Sequence, residues 1–221
     1  MDSAVRHSPL HDALRAHDPT WATVNGMPVV IRLPSDGESK PIRLADASCL
    51  ARSGVKGPHA EQWLRRQGIA VPEGVNCWIP TSDGVIVARL ARSEFFLEDR
   101  FGGTTVARLR EALQPAPGVY PVLRQDAALA LTGERVHDLL AQTCNVDYRA
   151  WSREPRTVVM TSIVGVSVLI LWCAQDGLPC YRIWCDGTFG PYLWETLLEI
   201  AAELGGGAAG LHSVLPQARA E

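Results

Sequence analysis

Cys144 and His137 are side chains whose types could form a nucleophile and its general base, the chemistry of thiol-dependent acyl transfer. Their placement argues against that role. His137 precedes Asp138 on a short predicted helix whose apolar face is formed by Val136, Leu139 and Leu140. We therefore expect His137 to face solvent, and we predict no catalytic residue here.

Three further cysteines, Cys173, Cys180 and Cys185, lie close enough in sequence to suggest a metal site. Their spacing matches none of the paired C-x-x-C ligand patterns. Free cysteine is also common as a small buried hydrophobic residue. We therefore predict no metal site. A metal or thiol protein is kept as a third hypothesis, behind the two functional hypotheses given at the end of this section.

Asp46 and Asp126 are carboxylates near the starts of predicted strands. General acid or base catalysis is one reading of such residues. A turn or helix-capping role is more common for aspartate at these positions, and we predict that role.

The elements that position these residues form a pattern that occurs twice. Residues 56–64 (KGPHAEQWL) are answered by residues 132–140 (TGERVHDLL), with Gly57 and Gly133 displaced by 76 positions. Further along, the segments starting at Gly84 and Gly165 are displaced by 81, and the helices starting near Thr105 and Pro191 by 86. Short loop insertions in a duplicated unit produce such growing displacements. Chance alignment of short apolar runs is the alternative.

Each copy reads strand, helix, three strands and helix, which predicts an α+β fold. We expect mainly antiparallel sheets with helices on one face. The predicted divisions are an N-terminal arm (1–40), a first half (41–114), a second half (119–205) and a frayed C-terminal tail (206–221). The proline-rich segment 114–118 is the predicted linker between the halves.

Charge and hydropathy exclude several classes of function. The net charge is −3 and the basic residues are scattered, so nucleic acid is not an expected partner. The longest apolar run, 158–172, is too short to span a bilayer. The N-terminus shows no export signal, so we expect a cytoplasmic location with reduced cysteines. No G-x-G-x-x-G or P-loop motif occurs, so a flavin or nicotinamide held by such a fold would belong to another chain.

Several short motifs resemble one family when they are taken in order. Residues 44–48 (LADAS) and 56–60 (KGPHA) resemble the strand and helix start of the folate-dependent aminomethyltransferase superfamily, the fold of the glycine cleavage T protein. Residues 6–10 (RHSPL) resemble the arm that opens gamma subunits of heterotetrameric sarcosine oxidases. Residues 144–147 and 181–183, with Phe189, Tyr192 and Leu193, are similar to the second half of those subunits. The small subunits of N-methylglutamate dehydrogenases have the same build, and the sequence does not distinguish between these two kinds of subunit.

The resemblance also includes one departure. In the aminomethyltransferases a Gly-Val-Ile segment is followed by an aspartate proposed to act in the folate-linked chemistry; here Gly84-Val85-Ile86 is followed by Val87-Ala88. Valine cannot hold or transfer a proton. We also expect the chain to lack the additional C-terminal domain of the transferases. If the fold is retained while this catalytic aspartate is absent, the chain is expected to have a structural role and not a catalytic one.

The leading hypothesis from this resemblance is a non-catalytic, gamma-type subunit of a flavin-dependent complex that oxidises an N-methyl amino acid. The chain would bind no cofactor of its own. FAD, FMN, NAD and tetrahydrofolate are implied on partner chains, with larger alpha-type and beta-type flavoprotein subunits and a small delta-type subunit as partners. Predicted interface residues are Ser8, Pro9, Leu10, Trp151 and Trp184, although each tryptophan could equally belong to the core. The alternative is a free-standing folate-binding protein.

Overall fold

The computed structural model describes residues 5–113, 117–151, 156–175 and 177–215. The chain forms two compact units that alternate along the sequence. One, the terminal unit, comprises Met1–Cys49, Asp126–Pro155 and Val159–Glu221; the other, the central unit, comprises Leu50–Gln125 and Arg156–Val158.

Strands account for most of the regular structure. They are β1 (Thr20–Val24), β2 (Met27–Arg32), β3 (Arg43–Asp46), β4 (Arg52–Lys56), β5 (Cys77–Pro80), β6 (Ile86–Ala91), β7 (Glu94–Glu98), β8 (Tyr120–Val122), β9 (Ala127–Thr132), β10 (Val158–Ile163), β11 (Val166–Gln175), β12 (Leu178–Cys185) and β13 (Gly207–Ala208). The helices are α1 (His11–Arg15), α2 (Ala60–Arg66), α3 (Thr105–Ala112), α4 (Val136–Thr143), α5 (Tyr148–Trp151), α6 (Gly190–Glu203) and α7 (Leu211–Val214). No helix in these ranges is both long and apolar enough to cross a membrane.

The strands form two main sheets and one hairpin. The terminal unit contains a six-stranded sheet in the order β10-β11-β12-β9-β3-β13, together with the β1-β2 hairpin. The central unit contains a five-stranded sheet in the order β5-β6-β7-β4-β8. The α+β prediction is therefore confirmed.

The two sheets share one topology, as the repeat predicts. In the central unit, β4 pairs antiparallel with β7 so that Lys56 lies opposite Glu94. In the terminal unit, β9 pairs with β12 in the same register, with Thr132 opposite Cys180. These partners are displaced by 76 and 86 residues, the values that the sequence predicts.

The register corrects one predicted equivalence. Val87 lies opposite Leu97 in the central sheet, and Ile170 lies opposite Ile183 in the terminal sheet. Val87 therefore corresponds to Ile170, not to Val168 as the displacement of 81 implied. The error is two residues, which leaves the inward and outward faces of the strand unchanged.

A short strand is exchanged between the two repeats. β3 precedes β4 in the chain but pairs with β9, the first strand of the second repeat. β8 precedes β9 but pairs with β4, the first strand of the first repeat. Each sheet is thus completed by a strand that lies before the other repeat in the sequence.

The glycines that the repeat aligns make this exchange possible. Gly57 and Gly133 have φ values of +121° and +134°, a region that L-residues avoid. A Cβ on Gly57 would lie 2.3 Å from the Gly118 carbonyl oxygen, and one on Gly133 would lie 2.1 Å from the Pro41 carbonyl oxygen. The backbone that leads into each exchanged strand thus passes so close to Gly57 or Gly133 that no side chain fits at that position.

Helices pack against one face of each sheet. In the terminal unit, Leu139 of α4 and Leu197 of α6 join Leu129, Leu131 and Ile183 in a buried core. In the central unit the same arrangement brings helix residues together with strand residues. These are Ala60, Leu64, Val106 and Leu109 with Val55, Val87, Phe95 and Leu97.

The segments at both ends of the chain are more ordered than predicted. The predicted frayed tail is wrong for residues 206–215, because Leu211 and Val214 of α7 are buried and β13 pairs with β3. Within the predicted arm, Leu14 and Val30 belong to the core of the terminal unit. The domain boundaries themselves stay predictions, and residues 114–116 of the predicted linker lie outside the described residues.

Candidate functional site

The Ser8-Pro9-Leu10 segment is anchored within the terminal unit. The Ser8 hydroxyl accepts a hydrogen bond from the Leu10 backbone N–H at 3.1 Å, and the Leu10 side chain is fully buried. At Gly190, the start of α6, a Cβ would lie 3.2 Å from the Pro9 Cβ. The segment therefore joins the chain's own core, and its role as an interface stays a prediction.

The two predicted interface tryptophans differ in what can be said of them. Trp184 is 2% exposed, and the Arg182 guanidinium carbon lies 5.7 Å from the centroid of its ring. The backbone of Trp151 ends α5, but its side chain lies outside the described residues. Two aromatic side chains of the terminal unit that the structure does show to be exposed are Phe189 and Tyr192, each 53% exposed at the start of α6.

Apolar packing occupies the place where the resemblance leads one to expect an acid. Val87 and Ala88 on β6 are both fully buried, and Val87 belongs to the core of the central unit. No proton transfer is available from either side chain.

Asp83, a carboxylate with no sequence motif around it, lies in the turn before β6. The Thr105 hydroxyl donates to Asp83 Oδ2 at 2.6 Å, and the Thr81 hydroxyl donates to Oδ1. These two hydrogen bonds hold the pKa of Asp83 below its ordinary value. A carboxylate held ionised in this way ties the turn to the start of α3.

Two buried aspartates, Asp99 and Asp46, accept hydrogen bonds from backbone groups. Asp99 accepts from the Val106 N–H at 3.0 Å and 3.2 Å, and burial raises the pKa of this side chain. Asp46 accepts from the Ser48 N–H at 2.8 Å, in agreement with the predicted turn role. Asp126 lies half-buried just before β9.

The three clustered cysteines lie on two neighbouring strands of the terminal sheet, Cys173 on β11 and Cys180 and Cys185 on β12. Cys173 and Cys180 face each other across β11 and β12, and the six cysteines are free thiols. A hydrogen bond between Cys180 and Cys173, together with burial, raises the pKa of the Cys180 thiol. Burial raises the pKa of the Cys185 thiol to about 11. Within the described ranges, no three histidine, cysteine or acidic side chains lie where they could share a metal ion.

A cleft of about 260 Å³ does bring His137 and Cys144 together. It lies between α4 and the start of α5. Its lining is His137, Ala141, Cys144, Asn145, Val146, Asp147, Tyr148 and Arg149. The sequence contained both residues of the pair but did not show that a cavity joins them.

The expected orientation of His137 is wrong. Its Nε2 lies 2.9 Å from the hydroxyl of Tyr181, whose side chain is fully buried on β12. Burial lowers the pKa of His137 and raises that of Tyr181, so both groups are neutral at pH 7. The hydroxyl and Nε2 therefore share one neutral hydrogen bond, and the tautomer of the imidazole sets which of the two donates.

Cys144 makes its hydrogen bonds with groups other than His137. Its sulfur accepts from the Val146 N–H at 3.5 Å, and its thiol donates to the Tyr148 hydroxyl at 3.8 Å. Because His137 Nε2 is engaged by Tyr181, the described contacts contain no hydrogen bond from the imidazole to the thiol. The arrangement lacks the nucleophile and base contact that thiol catalysis requires.

Arg149, which lines the cleft, forms an ion pair with Asp138 of α4. Asp138 accepts from Arg135 Nε at 3.0 Å and from Arg149 Nη2 at 2.7 Å. Hydrogen bonding from Arg135 is the main reason that the pKa of Asp138 is lowered. These partly exposed pairs join the start of α4 to α5 and stabilise the loop that frames the cleft.

We expect His137 to titrate below its ordinary pKa of 6.5 in an NMR experiment that follows its imidazole signals. The unfolded chain binds a proton more readily than the native one here, so stability falls as the pH decreases through about 6.5. Tyr181→Phe removes the hydroxyl from this hydrogen bond and should lower the free energy of unfolding at pH 8 by about 1 kcal/mol. A His137 pKa at or above 6.5 would contradict the expected effect of burial on this imidazole.

Comparison with known proteins gives a fold but no sequence family. No protein-family model and no curated protein matches the sequence. A chain of the heterotetrameric sarcosine oxidase from Corynebacterium sp. U-96, solved with pyrrole 2-carboxylate, matches at 18% identity and a TM-score of 0.69. The match covers 92% of this chain and 98% of that one.

The second match is the glycine cleavage system aminomethyltransferase T of Bartonella henselae, at 17% identity and a TM-score of 0.71. It covers 96% of this chain, which spans 62% of the aminomethyltransferase. The predicted resemblance is confirmed at the level of structure: this chain has the aminomethyltransferase-like fold.

Proposed function

We propose that this chain is the small, gamma-type subunit of a cytoplasmic flavin-dependent complex that oxidatively demethylates sarcosine or another N-methyl amino acid and passes the carbon to tetrahydrofolate. The observation that carries this proposal is coverage. The match to the sarcosine oxidase chain extends over nearly the whole of both chains. The match to the aminomethyltransferase leaves more than a third of that enzyme without a counterpart.

The interior of the central unit supports a structural role. Val87 and Ala88 occupy the strand position of the missing carboxylate as buried apolar residues. Restoring an acid there would place a charge in a packed core, at a cost of several kcal/mol. In this proposal, the FAD, FMN, NAD and tetrahydrofolate belong to the larger alpha-type and beta-type subunits, which assemble with a delta-type subunit.

Co-expression with the neighbouring open reading frames tests the proposal. We expect the chain alone to be colourless and aggregation-prone. Expressed with its partners, it should co-purify in fixed stoichiometry with a yellow flavoprotein that oxidises an N-methyl amino acid. Omitting this chain should reduce the yield of assembled complex, while the flavin content per large subunit remains the same.

Two outcomes would overturn the proposal. A stable monomer that binds tetrahydrofolate on its own, measured by calorimetry, would favour the alternative of a free-standing folate-binding protein. A chain that never co-purifies with the flavoprotein subunits would remove the subunit role itself.

A further inference from the structure

The outer edge of β8 has a defined set of backbone groups. β8 lies at the end of the central sheet and pairs antiparallel with β4, with Lys56 opposite Tyr120 and Gly54 opposite Val122. Pro121 lies between these two residues, opposite Val55, and its nitrogen carries no N–H. Since alternate residues of an antiparallel strand point their backbone groups to opposite sides, the Pro121 carbonyl faces away from β4.

The other repeat shows what such an edge accepts. β3 has the position in the terminal sheet that β8 has in the central sheet, because each pairs with the first strand of a repeat. Arg43 of β3 lies opposite Thr132 of β9. Its outer edge is covered by β13, which pairs with it in parallel. The Gly207 N–H donates to the Ile42 carbonyl at 3.0 Å, and the Ala209 N–H donates to the Leu44 carbonyl at 2.9 Å. A short extended segment thus closes this edge by donating to its carbonyls.

In the described part of the chain, no strand covers the equivalent edge of β8. Pro121 takes the place of Leu44, and no described group donates to its carbonyl. The neighbouring apolar side chains are open, with Tyr120 53% and Leu123 76% exposed. An open edge with exposed apolar side chains is a ready template for strand addition. Proline removes one donor from this edge but leaves its acceptor.

Charge indicates the chemistry of a segment that would fit. The central unit contains 11 basic and 7 acidic residues, a net charge of +4. Because the whole chain carries −3, the terminal unit carries −7. Lys56 is exposed directly opposite Tyr120. A segment bearing carboxylates would meet complementary charge here.

We propose that the outer edge of β8 is a docking site for an extended, acidic segment of a partner chain. The segment adds to the central sheet parallel to β8, as β13 adds to β3. Its backbone N–H donates to the Pro121 carbonyl, its apolar side chains cover Tyr120 and Leu123, and a carboxylate pairs with Lys56. This inference rests on the proposed function, in which the partner is one of the larger flavoprotein subunits.

The test compares substitutions at two exposed apolar sites, using the full chain and its co-expressed large subunits. Leu123→Glu should weaken the complex at least tenfold, because it removes an apolar contact and repels an acidic segment. Met160→Glu on β10 is the matched control, since Met160 is 59% exposed on another strand. The control should stay within twofold of wild type. Thermal unfolding of each free variant checks that the fold is kept, and Leu123→Ser provides a milder replacement.

A second variant tests strand addition itself. Pro121→Ala returns a backbone N–H to the outer edge, and one added hydrogen bond should tighten the complex by about fivefold. If wild type assembles but Leu123→Glu and Leu123→Ser bind equally well, the docking site is wrong and the proposed function stands. Unchanged or weaker binding by Pro121→Ala also overturns it. If wild type itself forms no complex, both proposals fall.

Discussion

Replacing Gly133 with alanine is expected to lower the free energy of unfolding by about 3–5 kcal/mol. Gly133 has a φ of +134°, and its new Cβ would lie 2.1 Å from the Pro41 carbonyl oxygen. That carbonyl also accepts a hydrogen bond from the Arg135 N–H at 3.1 Å. The Pro41 backbone can therefore withdraw only by breaking this contact and shifting β3. Urea unfolding followed by circular dichroism measures the loss.

The matched control is Gly165→Ala. Gly165 also has a positive φ, +82°, but a Cβ there meets nothing within 4 Å. It should cost about 1 kcal/mol, the conformational strain alone. Gly57→Ala should behave like Gly133→Ala, because its Cβ would meet the Gly118 carbonyl in the same way. Equal losses at Gly133 and Gly165 would show that close approach is unimportant.

Replacing Glu98 with alanine should cost about 3–5 kcal/mol, because it removes the carboxylate that pairs with the buried Arg52 guanidinium. Arg52 Nη1 lies 3.2 Å from Glu98 Oε2, and each side chain is 1% exposed. The guanidinium cannot give up its proton, so it would remain charged in an environment from which water is excluded. The free energy of unfolding at pH 7 measures the effect.

The double replacement Arg52→Met/Glu98→Leu separates the value of the pair from the cost of removing only one of its two charges. Two apolar side chains of similar size should restore most of the stability lost in Glu98→Ala. Arg65→Gln is the exposed control, because Arg65 and Glu61 form a surface pair at 3.0 Å. It should change stability by less than about 0.5 kcal/mol. A double variant as unstable as the single one would contradict this account.

Local sequence was sufficient to predict the repeated elements. Glycine followed by a short helix marks the same corner in both repeats, and the displacements of 76 and 86 reproduce the strand registers. The short helix expected after Gly57 is α2, Ala60–Arg66. Apolar periodicity and glycine are local signals, so one sequence is enough to find them.

Long-range pairing could not be predicted in this way. β8 has three residues and β13 has two, too few to show an alternating pattern. Nothing in residues 43–46 indicates that their partner begins near residue 127. The predicted frayed tail was wrong for the same reason, because Leu211 and Val214 are buried only through folding of the distant chain.

The cleft shows the same limit at the level of a site. His137 lies on a helix whose local pattern directs it to solvent, yet its partner Tyr181 is 44 residues away. Only the pairing of β12 with β9 brings the hydroxyl under α4. Neighbouring residues alone did not contain this information, although Cys144 and His137 could be singled out by type.

The exchanged strands have a consequence for how the protein is made. Arg43 pairs with Thr132, which emerges from the ribosome 89 residues later. At synthesis rates of about 5–20 residues per second, β3 waits on the order of 10 s for its partner. During that interval the β3 side chains that are buried in the folded protein are exposed and can associate with the wrong partners. Nascent chains should therefore need chaperone protection until β9 has been translated, and gene halves split at the repeat boundary should not yield separately folded products.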